Sequence, residues 1–152
     1  MATNANGWMA IAWGGLLCGV MDITAALGVY GSFGLPPMPL LQGIAKALIG
    51  PSAMEGGWGT AALGLVLHFV IAFGAATVYF VASRGLRFLV EQWVVWGALY
   101  GVAVYFFMQH VVLPLSRATR YPFSWEMMWI GVVIHIFCVG LPIAGMVRRF
   151  GR

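Results

Sequence analysis

The run WGTAALGLVLHFVIAFGAATVYFVA, residues 58–82, decides the fold. It contains no Asp, Glu, Lys or Arg, and its most polar side chain, His68, stands near the middle. About 20 helical residues cross the ~30 Å hydrocarbon layer of a bilayer, so this run is long enough to span. Three further windows read the same way: residues 8–31, 92–115 and 126–147. The first carries only Asp22 and the last only Glu126, at its edge. The whole chain repeats the message, with 62% of its 152 residues apolar and 8% charged, where an ordinary soluble domain is about 25% charged. One soluble core of this length cannot hide so much apolar surface. The composition therefore predicts an all-α integral membrane protein, a single domain over 1–152 with four transmembrane helices in one bundle and the lipid bilayer as partner. It excludes a water-soluble enzyme, a nucleic-acid binder and a disordered chain. The formal charge is +4, but its eight basic residues are scattered and form no stripe that would neutralise phosphates.

Tryptophans and basic residues give the ends and the orientation. Trp8, Trp13, Trp93 and Trp96 gather at one side, Trp58, Trp125 and Trp129 at the other, as in the aromatic belts at headgroup level. An even number of spans puts both termini on the side of Arg84, Arg87, Arg148, Arg149 and Arg152, against Lys46, Arg117 and Arg120 opposite. Lys and Arg favour cytoplasmic loops, so both termini are expected in the cytoplasm. Residues 1–7 lack Lys and Arg, and the apolar run after them contains Asp22, so a cleaved signal peptide is not expected. Gly15-Leu16-Leu17-Cys18 approaches a lipoprotein box, but the bulky Leu17 argues against cleavage there. Cys18 and Cys138 both fall inside apolar runs, which is no disulfide framework of a secreted protein.

The connection 32–57 is more than loop. Leu35-Pro36-Pro37 ends the first helix and Gly50-Pro51 marks a second break. Between them Leu40, Leu41, Ile44, Ala45 and Leu48 keep helical spacing, with Gln42 and Lys46 on another face. This predicts a short interfacial helix, about 37–50, lying in the outer headgroup region. Ser52 and Glu55 have the spacing of a capping box. Pro142 should bend the last span and Pro114 should end the third.

A doubling is legible in the spans. Gly15-Leu-Leu-Cys-Gly19-Val20 matches Gly97-Ala-Leu-Tyr-Gly101-Val102, and Gly64-Leu-Val66-Leu-His68 matches Gly131-Val-Val133-Ile-His135. The order is that of one helical hairpin used twice, which would relate the halves by an axis along the membrane normal. Glycines one turn apart let helix backbones approach closely, so the pattern speaks of packing between spans or between copies, and a homo-oligomer is expected.

Ionisable side chains at bilayer depth are costly and usually face a partner inside the bundle. Asp22, His68 and His135 stand at about 12, 15 and 14 Å from the outer ends of their spans, taking ~1.5 Å per residue. They form the candidate polar intramembrane cluster, with Cys18 and Cys138 as accessory positions slightly deeper. Small residues flank all three: Gly15, Ala25 and Ala26; Gly64, Ala72 and Ala75; Gly131. His110 lies opposite Gly101 around its helix and falls outside the cluster, a further accessory position only. Four uses stay open. Asp22 bonded to a histidine can hold the bundle together; an imidazole beside a carboxylate suits a proton or cation path; His68 and His135 could be axial ligands of a haem; His, Asp and Cys could hold a transition metal. No serine–histidine–acid or paired-carboxylate arrangement is readable, since Glu55, Glu91 and Glu126 lie near span ends.

In spans two to four, His68, Tyr79, Gln92, Gly97-x-x-x-Gly101, His110-x-x-x-Pro114-Leu115, Ile134-His135 and Arg148-Arg149 follow in order. In this the chain resembles a group of bacterial inner-membrane proteins that includes the YagU-like proteins, over about half its length. The resemblance implies a bacterial inner-membrane location and a four-helix layout. It supplies no catalytic residues, and Asp22 and the 35–50 segment lie outside it. The expectation is a small binding or transport-accessory protein with an Asp/His cluster and no catalytic role. The alternatives are an electron-transfer protein binding haem or metal through His68 and His135, and a structural bundle without ligand.

Overall fold

A computed structural model describes residues 6–118 and 122–151. Arg120 and Arg152, two of the residues in the charge asymmetry, lie outside this set. Four helices among the described residues are long and apolar enough to cross a membrane: α1 (Gly7–Ser32), α3 (Gly57–Gly85), α5 (Trp93–Leu115) and α6 (Trp125–Phe150). Each agrees with its expected window to within three residues or so at every end, because the length of an uncharged apolar run is a local property. Two shorter helices join them, α2 (Pro37–Ile49) and α4 (Phe88–Glu91), and a 3-10 turn covers Pro51–Glu55.

The helices are packed unequally. In α1 and α6 a third of the most apolar window is buried, against 17% in α3 and 11% in α5. The first two are therefore the middle of the bundle and the last two its flanks. Outward faces are apolar throughout: Val66, Val70, Val78 and Val81 on α3, Val94, Leu99 and Phe107 on α5, Val133 and Phe137 on α6 are all exposed. The buried core runs through Ala10, Cys18, Ala72, Ala76, Tyr79, Val139, Ile143, Ala144 and Val147. It is rich in alanine, which lets backbones approach where no large side chains fill the gap. Two tyrosines fasten it. Tyr79, 2% exposed, donates to the Leu89 carbonyl at 2.9 Å and so ties α4 under the bundle. Tyr100 donates to the Ala75 carbonyl at 2.7 Å, joining α5 to α3, and the two rings meet edge to face.

The doubled sequence pattern recurs as doubled contacts. In the first hairpin, Gly15 faces the ring of Phe73 and Gly19 that of Phe69. In the second, Gly97 faces the Gly140 carbonyl and Gly101 faces His135 and Ile136. Phe73 follows His68 by as many residues as Gly140 follows His135, so the two hairpins pack in the same register. The difference lies in what meets the glycine: aromatic side chains in the first, bare helix backbone in the second.

Both spans with an internal proline widen just before it. A π turn covers Met108–Val112 ahead of Pro114, and another covers His135–Gly140 ahead of Pro142. The proline ring removes an N–H and crowds the carbonyl one turn back, and a wider turn relieves both. Pro114 ends its span as expected, the helix stopping one residue later at Leu115.

Two expectations fail at the end where α2 lies. Gln42, assigned with Lys46 to a polar face of α2, is 3% exposed. Its Nε2 donates to the Gly57 carbonyl at 3.1 Å and to Thr60 Oγ1 at 3.2 Å. The α2 helix thus packs on the first turns of α3, where bare Gly64 leaves room for the Leu41 carbonyl against its backbone. The Ser52/Glu55 capping box does not form; the Ser52 hydroxyl donates back to Ile49 O at 3.2 Å, and Gly50, at φ +78°, makes the turn between α2 and the 3-10 segment. At the opposite end the Trp96 ring packs on Phe88, its indole N–H buried and without a hydrogen-bond partner among the described residues.

Candidate functional site

The close approach of α1 and α3 is what creates the site. With no side chain on Gly15 or Gly19, the rings of Phe73 and Phe69 sit directly on the α1 backbone. That brings His68 against the same stretch, and its Nε2–H donates to the Gly19 carbonyl at 2.9 Å. The imidazole is held edge-on to Phe69, with centroids 5.6 Å apart and planes at 82°. Its other nitrogen then points one turn further along α1, where Nδ1 stands 4.0 Å from Asp22 Oδ2.

The protonation states follow from donor and acceptor roles. A carbonyl oxygen only accepts, so Nε2 carries a hydrogen. Nδ1 is therefore bare in the neutral ring, facing a carboxylate that is also an acceptor when ionised. Two facing acceptors lack a hydrogen between them. One added proton resolves this, either on Nδ1 as an imidazolium beside a carboxylate or on Asp22 as a carboxylic acid. At 4.0 Å the two atoms are beyond direct hydrogen-bond distance, so the contact is an electrostatic one that can tighten. The side chains of His68 and Asp22 are 13% and 19% exposed. They are thus largely covered without being sealed off.

The other candidates have other surroundings. His135 begins the π turn of α6, and its Nδ1–H donates to the Gly131 carbonyl of its own helix at 2.8 Å. Its ring meets Tyr105 edge to face at 5.3 Å. His135 thus meets α5 and its own helix α6, while His68 meets α1. His110 is exposed, bonded to Phe106 O at 3.0 Å and tilted over that ring. Cys18 is buried and Cys138 half-buried, both free. Among the described residues no three of His, Cys, Asp or Glu come together closely enough to hold a metal ion. Axial ligation of a haem needs a free ring nitrogen on each histidine. His135 keeps one, its Nε2, whereas His68 spends Nε2 on Gly19 O and turns Nδ1 to Asp22.

The two hairpins differ here in a telling way. The position of Asp22, three residues after Gly19, is Val104 in the second hairpin, three after Gly101. Lacking an acid across from it, His135 turns to its own backbone. The Gly19 carbonyl was invisible as a partner in the sequence, because every residue has one; only the proximity of α1 and α3 selects it. Comparison of the chain with family models, with curated proteins and with solved structures finds no match.

Proposed function

We propose that this chain is an integral membrane protein of the bacterial inner membrane, with both termini cytoplasmic, in which the Asp22–His68 pair takes up and releases a single proton as part of a binding or transport-accessory role. The observation that carries this is the arrangement of two acceptors 4.0 Å apart, with the remaining imidazole nitrogen pinned by Gly19 O at 2.9 Å. An ionisable pair inside a membrane span is a functional position by default, and imidazole is the side chain that changes charge near neutral pH. The apolar outward faces of all four long helices support insertion in lipid. The helix α2, with Leu48 and Met54 after it exposed, lies at the outer headgroup level. The resemblance to the YagU-like group supports the bacterial inner membrane. The least covered helices, α3 and α5, are where copies of the chain associate.

The test is proton flux into liposomes that enclose a pH-sensitive dye, after a pH step between about 5 and 8. Wild-type protein should collapse the gradient faster than empty liposomes. Asp22→Asn, which keeps the shape and removes the charge, should return the rate to that of empty liposomes, and His68→Gln should do the same. Flux equal in wild type and Asp22→Asn, together with a lower melting temperature for the variant, would show the pair to be a structural joint and overturn the proposal.

A further inference from the structure

The end of the bundle that carries Gly7, Gly85, Trp93 and Phe150 has two grooves, and they differ in chemistry. One is lined by Ser83, Arg84, Arg87, Val90, Glu91 and Gly151. There Arg84 already donates to the Gly151 carbonyl at 3.0 Å, and Glu91 adds a negative charge. The other is a groove of about 450 Å³ between the start of α5 and the end of α6, lined by Trp93, Gly145, Met146, Arg148 and Arg149. Its floor is apolar. Bare Gly145 leaves it open, since a Cβ there would already touch the Trp93 ring at 3.4 Å.

Two guanidinium groups stand at its mouth. Arg148 lies 5.7 Å over the Trp93 ring and Arg149 5.3 Å over Phe150. Among the described residues neither is paired with a carboxylate. Aromatic faces thus hold both cations in place while their donor edges stay unused, and guanidinium edges match phosphate oxygens in pairs. We propose that this groove holds one anionic phospholipid, its headgroup phosphate on Arg148 and Arg149 and its glycerol and upper acyl chain along Trp93, Gly145 and Met146. A free phosphate would use the two cations and leave the apolar floor empty; a lipid uses both. Basic pockets between spanning helices are known to select anionic headgroups. The inference rests on the membrane reading above and goes beyond it, because it concerns one end of the bundle, whereas Asp22 and His68 lie within the spans.

The full chain in mild detergent is titrated with phosphatidylglycerol or with phosphatidylcholine, and the lipid retained is counted by native mass spectrometry. Phosphatidylglycerol should be retained about tenfold more tightly or better. Arg148→Gln with Arg149→Gln should remove the preference. Gly145→Leu, which fills the floor and leaves both charges, should also weaken retention, while Arg84→Gln with Arg87→Gln should preserve it. Equal retention of the two lipids overturns the proposal, and so does a preference that survives loss of Arg148 and Arg149. Displacement of the lipid by an equal concentration of inorganic phosphate overturns it in favour of a free-anion site. The membrane reading is checked separately by insertion into phosphatidylcholine vesicles. A chain that does not insert there defeats that reading, whereas one that inserts without selecting phosphatidylglycerol defeats this inference alone.

Discussion

Replacing Gly101 by alanine tests the packing on which the second hairpin depends. A Cβ built at Gly101 would fall on the His135 carbonyl oxygen, 2.7 Å from its carbon and 2.8 Å from the Ile136 Cα. All three are helix backbone, and none can rotate away as a side chain would. The α5 and α6 helices must therefore part by several tenths of an ångström or more, and the Gly97–Ala144 and Gly97–Gly140 contacts open with them. Gaps of about 0.5–1 Å forfeit a quarter to a half of each dispersion contact, and overpacking of this kind costs about 1–3 kcal/mol. Alanine returns up to about 1 kcal/mol through helix propensity, so Gly101→Ala should lose about 1–2 kcal/mol net. Gly74 is the matched control, a mid-helix glycine of α3 with nothing within 4 Å of its Cβ position. There the same substitution keeps only the propensity gain and should stabilise by up to about 1 kcal/mol. Gly15→Ala should fall between them, because its obstacle is the Phe73 ring, which can move. The three variants and wild type are compared by reversible denaturant unfolding in one detergent. The expected order of stability is Gly74→Ala, wild type, Gly15→Ala, Gly101→Ala. A Gly101→Ala protein as stable as Gly74→Ala would refute the reasoning, since it would mean that α5 and α6 do not touch backbone to backbone.

Further outcomes follow from buried hydrogen bonds. Tyr79→Phe keeps the ring and strips the hydroxyl from Leu89 O; it should cost about 1–3 kcal/mol and expose the 86–92 segment to protease in detergent. Gln42→Leu removes the bonds to Gly57 and Thr60 and leaves the Gly57 carbonyl with the Thr60 hydroxyl as its side-chain donor. It should destabilise by about 1–2 kcal/mol and speed amide exchange in α2 while that of α6 is unchanged; uniform change across the chain would show that α2 is not docked separately.

Legibility in the sequence differed sharply between residues. The four long helices were readable to their ends, and so were the breaks at Pro36-Pro37 and at Gly50-Pro51. Rise per residue put Asp22, His68 and His135 at nearly one depth, and of these three the structure shows the contact of His68 with Asp22. Gln42 misled, since polarity in a short helix suggests a wet face until something packs over it. Neither the π turns nor the packing of Trp96 on Phe88 had a signal beyond a proline downstream or an aromatic near an end.

The reason is one of geometry. How long an apolar run is, and how far along it a polar residue stands, are one-dimensional quantities that the order of residues states outright. Rotation about each helix axis is another matter. In a helix apolar on every side, such as α3, no wet face exists to point outward, so the residues themselves leave the azimuth open. Only the approach of α1 and α3 over Gly15 and Gly19 turned His68 toward Asp22, and only the meeting of α5 and α6 over Gly101 set His135 beside Tyr105.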